Sequence, residues 1–134
     1  MGASRLVVMD TNVLVSGLMK MQSSPPVELV DLVAEGLLRV FYDTRIMAEY
    51  RDVLARPQLK LDPRKRSDLF QIITTYGFDV DPPHADLDFP DESDRPFYEG
   101  AELCFCPLVT GNKRHFPDRE WILSPAEYLE MFKE

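Results

Sequence analysis

Four carboxylates and one amide stand where a folded chain could gather them. Asp10 closes the apolar run Leu6 to Met9, and Glu49 lies just past the first turn of a helix expected after a second apolar run. Asp91 and Asp94 stand three residues apart, ahead of a helix that opens with Pro96, and Asn112 follows the short apolar pair Leu108 and Val109. Carboxylates brought together repel unless a cation joins them, since two unit charges ~4 Å apart cost about 4 kcal/mol at an effective dielectric of 20. Mg²⁺ or Mn²⁺ offsets that repulsion, takes hard oxygen ligands and keeps water, which suits hydrolysis of a phosphodiester. Asn112 would offer oxygen without charge and so weaken a second metal position.

Each of these residues also has a plainer role open to it. Asp10 could cap a following helix or close an Asx turn, Asp94 could be an N-cap, and Asn112 after Gly111 could be a turn residue. Glu49 could be an ordinary surface glutamate. Their convergence carries the chemical reading, so the elements that would position them matter.

The run Leu6 to Met9 reads as a buried strand ending in a turn at Asp10, Thr11 and Asn12, with a second apolar patch at Val13 to Val15. Ser24 and Pro25 open a helix carrying Val27, Val30 and Val33 as far as Gly36. Leu38 to Tyr42 is a second strand. Asp43 or Thr44 caps a helix bearing Ile46, Tyr50, Val53 and Leu54 until Pro57 stops it. On that helix Glu49 is about 60° from Ile46, at the rim of the apolar stripe. A further helix carries Leu69, Ile72, Ile73 and Tyr76 to Gly77, with a short strand at Phe78 to Val80. The proline- and aspartate-rich stretch from Asp81 to Asp94 is a surface loop. A helix from about Asp94 to Phe105, a strand at Leu108 and Val109, a last strand at Trp121 to Leu123 and a helix opened by the capping box Ser124 to Glu127 complete the chain. Strands alternating with helices favour a parallel sheet covered on both faces, whose ligands gather beyond the strands' carboxyl ends. Asp10, Glu49 and Asn112 all fall there.

The 134 residues, 45% of them hydrophobic, suffice for one domain with one core, spanning 1–134. No segment reads as a signal peptide or a membrane span, so a cytoplasmic protein is expected. Cys104 and Cys106 are too close for a relaxed disulfide and read as buried thiols. A net charge of -8 argues against gripping nucleic acid by bulk electrostatics, yet a metal can reverse the sign locally beside a separate basic strip.

Five segments, MDTNVLVSG at 9–17, EYRDVL at 49–54, DESDRPFYEGA at 91–101, LVTGNKRHFP at 108–117 and SPAEYL at 124–129, together resemble the PIN domains. Within that family they are similar to the toxin components of toxin-antitoxin modules of the virulence-associated protein C type. The resemblance implies a three-layer α/β/α fold with a mostly parallel sheet of four to five strands. It also implies Mg²⁺- or Mn²⁺-dependent endoribonuclease activity, with Asp10, Glu49 and Asp94 as the acidic residues and Asn112 where many members carry a fourth acid. Asp91 is a further candidate ligand. Thr11 and Asn12 would orient Asp10 or a metal-bound water, and Thr110 would do similar work. A homodimer and silencing by a protein antitoxin are implied as well.

Lys113, Arg114 and Arg119 follow Asn112 and could hold an RNA backbone, or belong to a solvated loop. Lys60, Arg64, Lys65 and Arg66 read as a solvated helix start. His84 reads as incidental, and no residue in the sequence stands out as an orienting partner for His115. Two other readings stay open. An aspartyl-nucleophile phosphatase would want an acid where Asn12 stands. A catalytically silent member serving as an RNA- or partner-binding module fits the net acidity and Asn112.

Overall fold

The computed structural model describes residues 5–19, 22–79 and 81–133. Their strands are β1 (Arg5–Met9), β2 (Leu38–Tyr42), β3 (Phe78–Asp79), β4 (Leu108–Val109) and β5 (Ile122–Leu123). The helices are α1 (Thr11–Met19), α2 (Pro25–Ala34), α3 (Thr44–Leu54), α4 (Pro63–Tyr76), α5 (Arg95–Cys104) and α6 (Pro125–Lys133). All strand pairs are parallel, in the order β3-β2-β1-β4-β5. The chain therefore builds outward from β1 on one side, then returns to add β4 and β5 on the other. The switch point lies between β1 and β4, where a crevice opens at the carboxyl ends of an open parallel sheet.

The core explains why these strands read as continuous apolar runs. Val7, Val8, Met9, Val40, Phe41, Leu108 and Val109 are all fully buried, as strands covered on both faces require. Helix α2 packs on β2, α1, α4 and α6, and α5 packs on β1 and β4 with α3 beside it. Close approach of α5 depends on Gly100, where a Cβ would lie 2.4 Å from the Phe41 ring. The result is a three-layer α/β/α sandwich.

Most expected elements are present, with two differences. The stretch after Asp10 is helix α1 and not an extended turn. Gly17 and three valine and threonine side chains weaken its helical pattern, yet Gly17 is where α1 meets α2, since an added Cβ would fall 2.4 Å from Val30 Cγ2. The expected strand at 78–80 is present as Phe78–Asp79, and Val80 lies outside the described residues. Asp43 caps α3 by accepting from Ile46 N at 2.8 Å, and the capping box of α6 closes both ways, at 2.8 Å and 3.1 Å. Cys106 is buried and Cys104 half-buried, both as free thiols, and burial pushes Cys106 up to about 12, out of reach of reactive chemistry. Among the described residues no helix is long and apolar enough to cross a membrane.

Candidate active site

Asp10 leaves β1 and Thr110 leaves β4, so parallel pairing of Met9 with Val109 sets the two side by side across the switch point. The Thr110 hydroxyl donates to Asp10 Oδ2 at 2.7 Å, and Thr11 N donates to Oδ1 at 2.8 Å. Both carboxylate oxygens are thus oriented by the ends of two strands and the first turn of α1. Burial raises the Asp10 carboxyl above its ordinary range, against these two hydrogen bonds, which favour the ionised form. Beneath it the buried Tyr50 hydroxyl donates to Met9 O at 2.5 Å and pins the strand end to α3.

Glu49 reaches the same pocket from the rim of α3. Its Oε2 accepts from the Thr11 hydroxyl at 2.6 Å, so Thr11 bridges Asp10 and Glu49. Burial, and then the charges of Asp10 and Asp91, raise the Glu49 carboxyl despite that bond. Asn12, expected to orient Asp10 or a water, accepts instead from Gly111 N at 3.1 Å and ties α1 to the turn after β4. Thr110 Oγ1 also accepts from Asn112 N at 3.0 Å, which draws Asn112 toward the crevice.

Asp94 enters at the start of α5, after a 3-10 turn spanning Glu92–Asp94. It is only 8% exposed, and its Oδ2 is buried without a hydrogen-bond partner. His115 Nδ1 stands 3.5 Å from that oxygen without bonding geometry, and Asn112 Nδ2 lies 2.9 Å from His115 Nε2. With the amide donating to Nε2, the ring proton sits on Nδ1, toward Asp94. The structure thus supplies His115 with one orienting partner, Asn112, and sets its ring beside Asp94. The sequence held the signal in the three-residue step from Asn112 to His115, which a 3-10 turn brings together. Asp91 caps the turn before α5, is exposed, and spends Oδ1 on Ser93 N and Oγ at 3.0 Å and 2.8 Å. Those two bonds lower its carboxyl below the ordinary range, so Asp91 adds its charge to the pocket from outside.

Burial first, and then the charges of Asp10, Asp91 and Glu49, push Asp94 up to about 6, with His115 opposing. The folded chain therefore holds this proton more tightly than the unfolded one, and Asp94 destabilises the native state as pH rises from 3.8 through about 6. The whole shift corresponds to about 3 kcal/mol, which screening at a partly open rim reduces to about 1–2 kcal/mol. Asp94→Asn is accordingly expected to raise the melting temperature in EDTA at pH 7.5 by roughly 3–8 °C. The gain should shrink as pH falls toward 4. Equal melting temperatures at pH 7.5 in differential scanning calorimetry would refute this account of the site.

The basic residues after Asn112 are less free than their sequence suggests. Lys113 Nζ is 3.0 Å from Glu127 Oε1, and Arg119 donates to Asp118 O at 3.1 Å, while Arg114 is exposed. Glu99 drew no notice in the sequence, yet it is fully buried on α5. It accepts from Ala85 N at 2.7 Å and meets Arg45 at 2.8 Å in a charge contact without hydrogen-bond alignment. Exposed His84 lies 3.6 Å from the same carboxylate, part of that structural knot and away from the acidic pocket.

Among the described residues, no three His, Cys, Asp or Glu side chains converge closely enough to hold a metal ion as they stand. Both oxygens of Asp10 and Oε2 of Glu49 are turned onto hydroxyl and amide donors. The residues still fit a hard divalent cation. Four acids act on one another electrostatically, and the buried Asp94 Oδ2 has an unused lone pair facing that field.

The chain is thus an open parallel α/β/α sheet with acidic residues gathered at its switch point. The PIN domain profile matches residues 6–114, and the chain belongs to the PIN domain family. PIN domains are generally nucleases, and they generally use divalent metals. Comparison with curated proteins and with solved structures finds no match.

Proposed function

We propose that this PIN domain is a Mg²⁺- or Mn²⁺-dependent endoribonuclease whose active site is the crevice of Asp10, Glu49 and Asp94. The observation that carries the reading is the unpartnered, buried Asp94 Oδ2 beside carboxylates that raise one another's proton affinity. Asp10, Glu49 and Asp94 would hold the metal, with Asp91 as an outlying charge and Asn112 as a neutral oxygen donor. When bound, the cation supplies an activated water and neutralises charge on the phosphodiester in an in-line displacement.

The chain's own groups do the positioning. Thr110 and Thr11 fix both oxygens of Asp10, and Thr11 also holds Glu49, so two acids move as one unit. His115, oriented by Asn112, can give or take a proton at Nδ1 next to Asp94. Exposed Arg114, with Lys113 and Arg119 in the segment after Asn112, would supply positive charge for the RNA backbone. The resemblance of the motifs further supports a toxin acting in a toxin-antitoxin pair, a single domain that forms a homodimer and is held silent by a protein antitoxin.

Purified protein incubated with a panel of RNAs should cleave with Mg²⁺ or Mn²⁺ and fall silent with EDTA. Cleavage that survives EDTA would sink the metal site. Millimolar Mn²⁺ should also raise the melting temperature of the wild type by several degrees, since a ligand held at about 100 times its Kd stabilises by about 2.7 kcal/mol. The shift should be smaller for Asp94→Asn, and equal shifts would separate Asp94 from the metal.

A second reading is a catalytically silent member that binds RNA or a partner. It is favoured by Asn112 and by acids that do not yet converge. RNA retention without turnover in any divalent metal would select it.

A further inference from the structure

Seven of the chain's 15 Lys and Arg lie between Arg45 and Arg66, beside only three acids, although the whole chain carries -8. Two of these cations, Arg51 and Arg66, line one groove of about 550 Å³ between α3 and α4, together with Ser67, Phe70, Gln71 and Thr74 among others. No carboxylate lines it, whereas four other grooves among the described residues, of about 250 to 510 Å³, each include at least one. In a chain with 23 Asp and Glu, that exclusion is a local reversal of sign.

The cations are available and placed. Arg51, Arg64 and Arg66 form no ion pair among the described residues. The Arg51 guanidinium lies over the Phe70 ring at 5.1 Å, a contact that restrains it and reduces the entropy lost when it meets a ligand. Arg66 donates to Leu54 O at 3.1 Å and anchors α4 to the end of α3, so the groove has a fixed width. Arg64 is exposed and stands two helical turns before Gln71 on the same face of α4. Guanidinium, hydroxyl and amide donors along one uncharged-to-positive channel match a run of phosphates.

The groove also connects to the crevice. Arg51 and Glu49, two residues apart on α3, point to opposite sides of the helix, about 200° apart. The exposed arc between them carries the small residues Ala48 and Ala55 and Asp52, whose charge is met by Arg56 at 3.2 Å. A polynucleotide leaving the crevice could cross α3 here without meeting an unpaired acid.

We propose that the α3–α4 groove is a binding site for the backbone of single-stranded RNA, a few nucleotides away from the cleaved bond. This rests on the nuclease reading for the choice of RNA, but the groove itself is separately testable. The crevice then needs little electropositive surface of its own, which reconciles an acidic chain with a polyanionic substrate.

The test measures binding of a fluorescein-labelled single-stranded RNA of about 12 nucleotides by anisotropy, in EDTA to prevent turnover. Arg51→Gln/Arg64→Gln, with an unchanged melting temperature, is expected to weaken binding at least about tenfold and to lower the salt slope of log K by about 1.4, the loss of two single-strand phosphate contacts. Lys65→Gln, on the side of α4 that faces α2, should bind within about twofold of wild type. Wild-type affinity and slope in the double variant would overturn the proposal, as would retention of a poly-glutamate peptide in place of RNA. Cleavage in Mn²⁺ is read in parallel. A wild type that binds through the groove but does not cleave removes the nuclease reading and keeps the groove, and one that cleaves while the double variant binds normally does the reverse.

Discussion

Asp10→Asn is expected to lower RNA cleavage in Mn²⁺ by on the order of 10²–10³-fold, because a metal's charge stabilisation amounts to several kcal/mol of barrier. The substitution removes charge and little else. Asparagine keeps one acceptor for Thr11 N, and its amide can donate to the Thr110 hydroxyl that formerly donated to Oδ2, so the strand ends stay tied. Since burial already raises the Asp10 carboxyl, the neutral side chain should not weaken the fold in the absence of metal. The measurement is initial rate on one RNA with melting temperature as the control. A well-folded variant that cleaves within about tenfold of wild type would place the chemistry elsewhere.

The largest effect on stability is expected at Arg45, outside the crevice. Its guanidinium sits 3.0 Å from Asp43 and 2.8 Å from Glu99, whose side chains are 1% and 0% exposed. Arg45→Met would leave two carboxylates buried with fewer partners. Breaking such a cluster costs about 3–5 kcal/mol. The low end applies, since Asp43 keeps Ile46 N and Glu99 keeps Ala85 N and Arg95 at 3.5 Å. A loss of about 3 kcal/mol would drop the melting temperature by roughly 10 °C. Urea denaturation of Arg45→Met and of Arg45→Met/Glu99→Gln separates the charge from the packing, because the double variant should recover part of the loss. A change below about 0.5 kcal/mol would class the cluster with surface ion pairs. The cluster joins α3, which carries Glu49, to α5, which follows Asp94, so its loss should also loosen the acidic pocket.

How far each feature could be read in advance depends on the range of the interaction behind it. Helix α3 was legible because its cap, its apolar stripe and its terminator are local: Asp43, Ile46, Tyr50, Leu54 and Pro57 follow one another at fixed steps. The capping box of α6 is equally local. Helix α1 was not, since Thr11 to Met19 carries Gly17, two valines and no acid in its first turn, and meets α2 closely at Gly17. Among candidate site residues, Asp10, Glu49 and Asp94 could be gathered because each sits at the end or rim of a readable element.

The sequence by itself therefore determined the alternating strands and helices, the parallel sheet they imply, and the carboxylates brought to its open end. It did so through periods of 2 and 3.6 residues and through caps that act within one turn. Tertiary structure alone decided the partners of those carboxylates: Thr110 on Asp10 across 100 residues, Thr11 on Glu49 across 38, and His115 facing Asp94. It also decided that Glu99 is buried among arginines and that the α3–α4 groove excludes acids. Strand order and helix docking set these neighbours, and a long-range contact of that kind leaves no periodic trace along the chain.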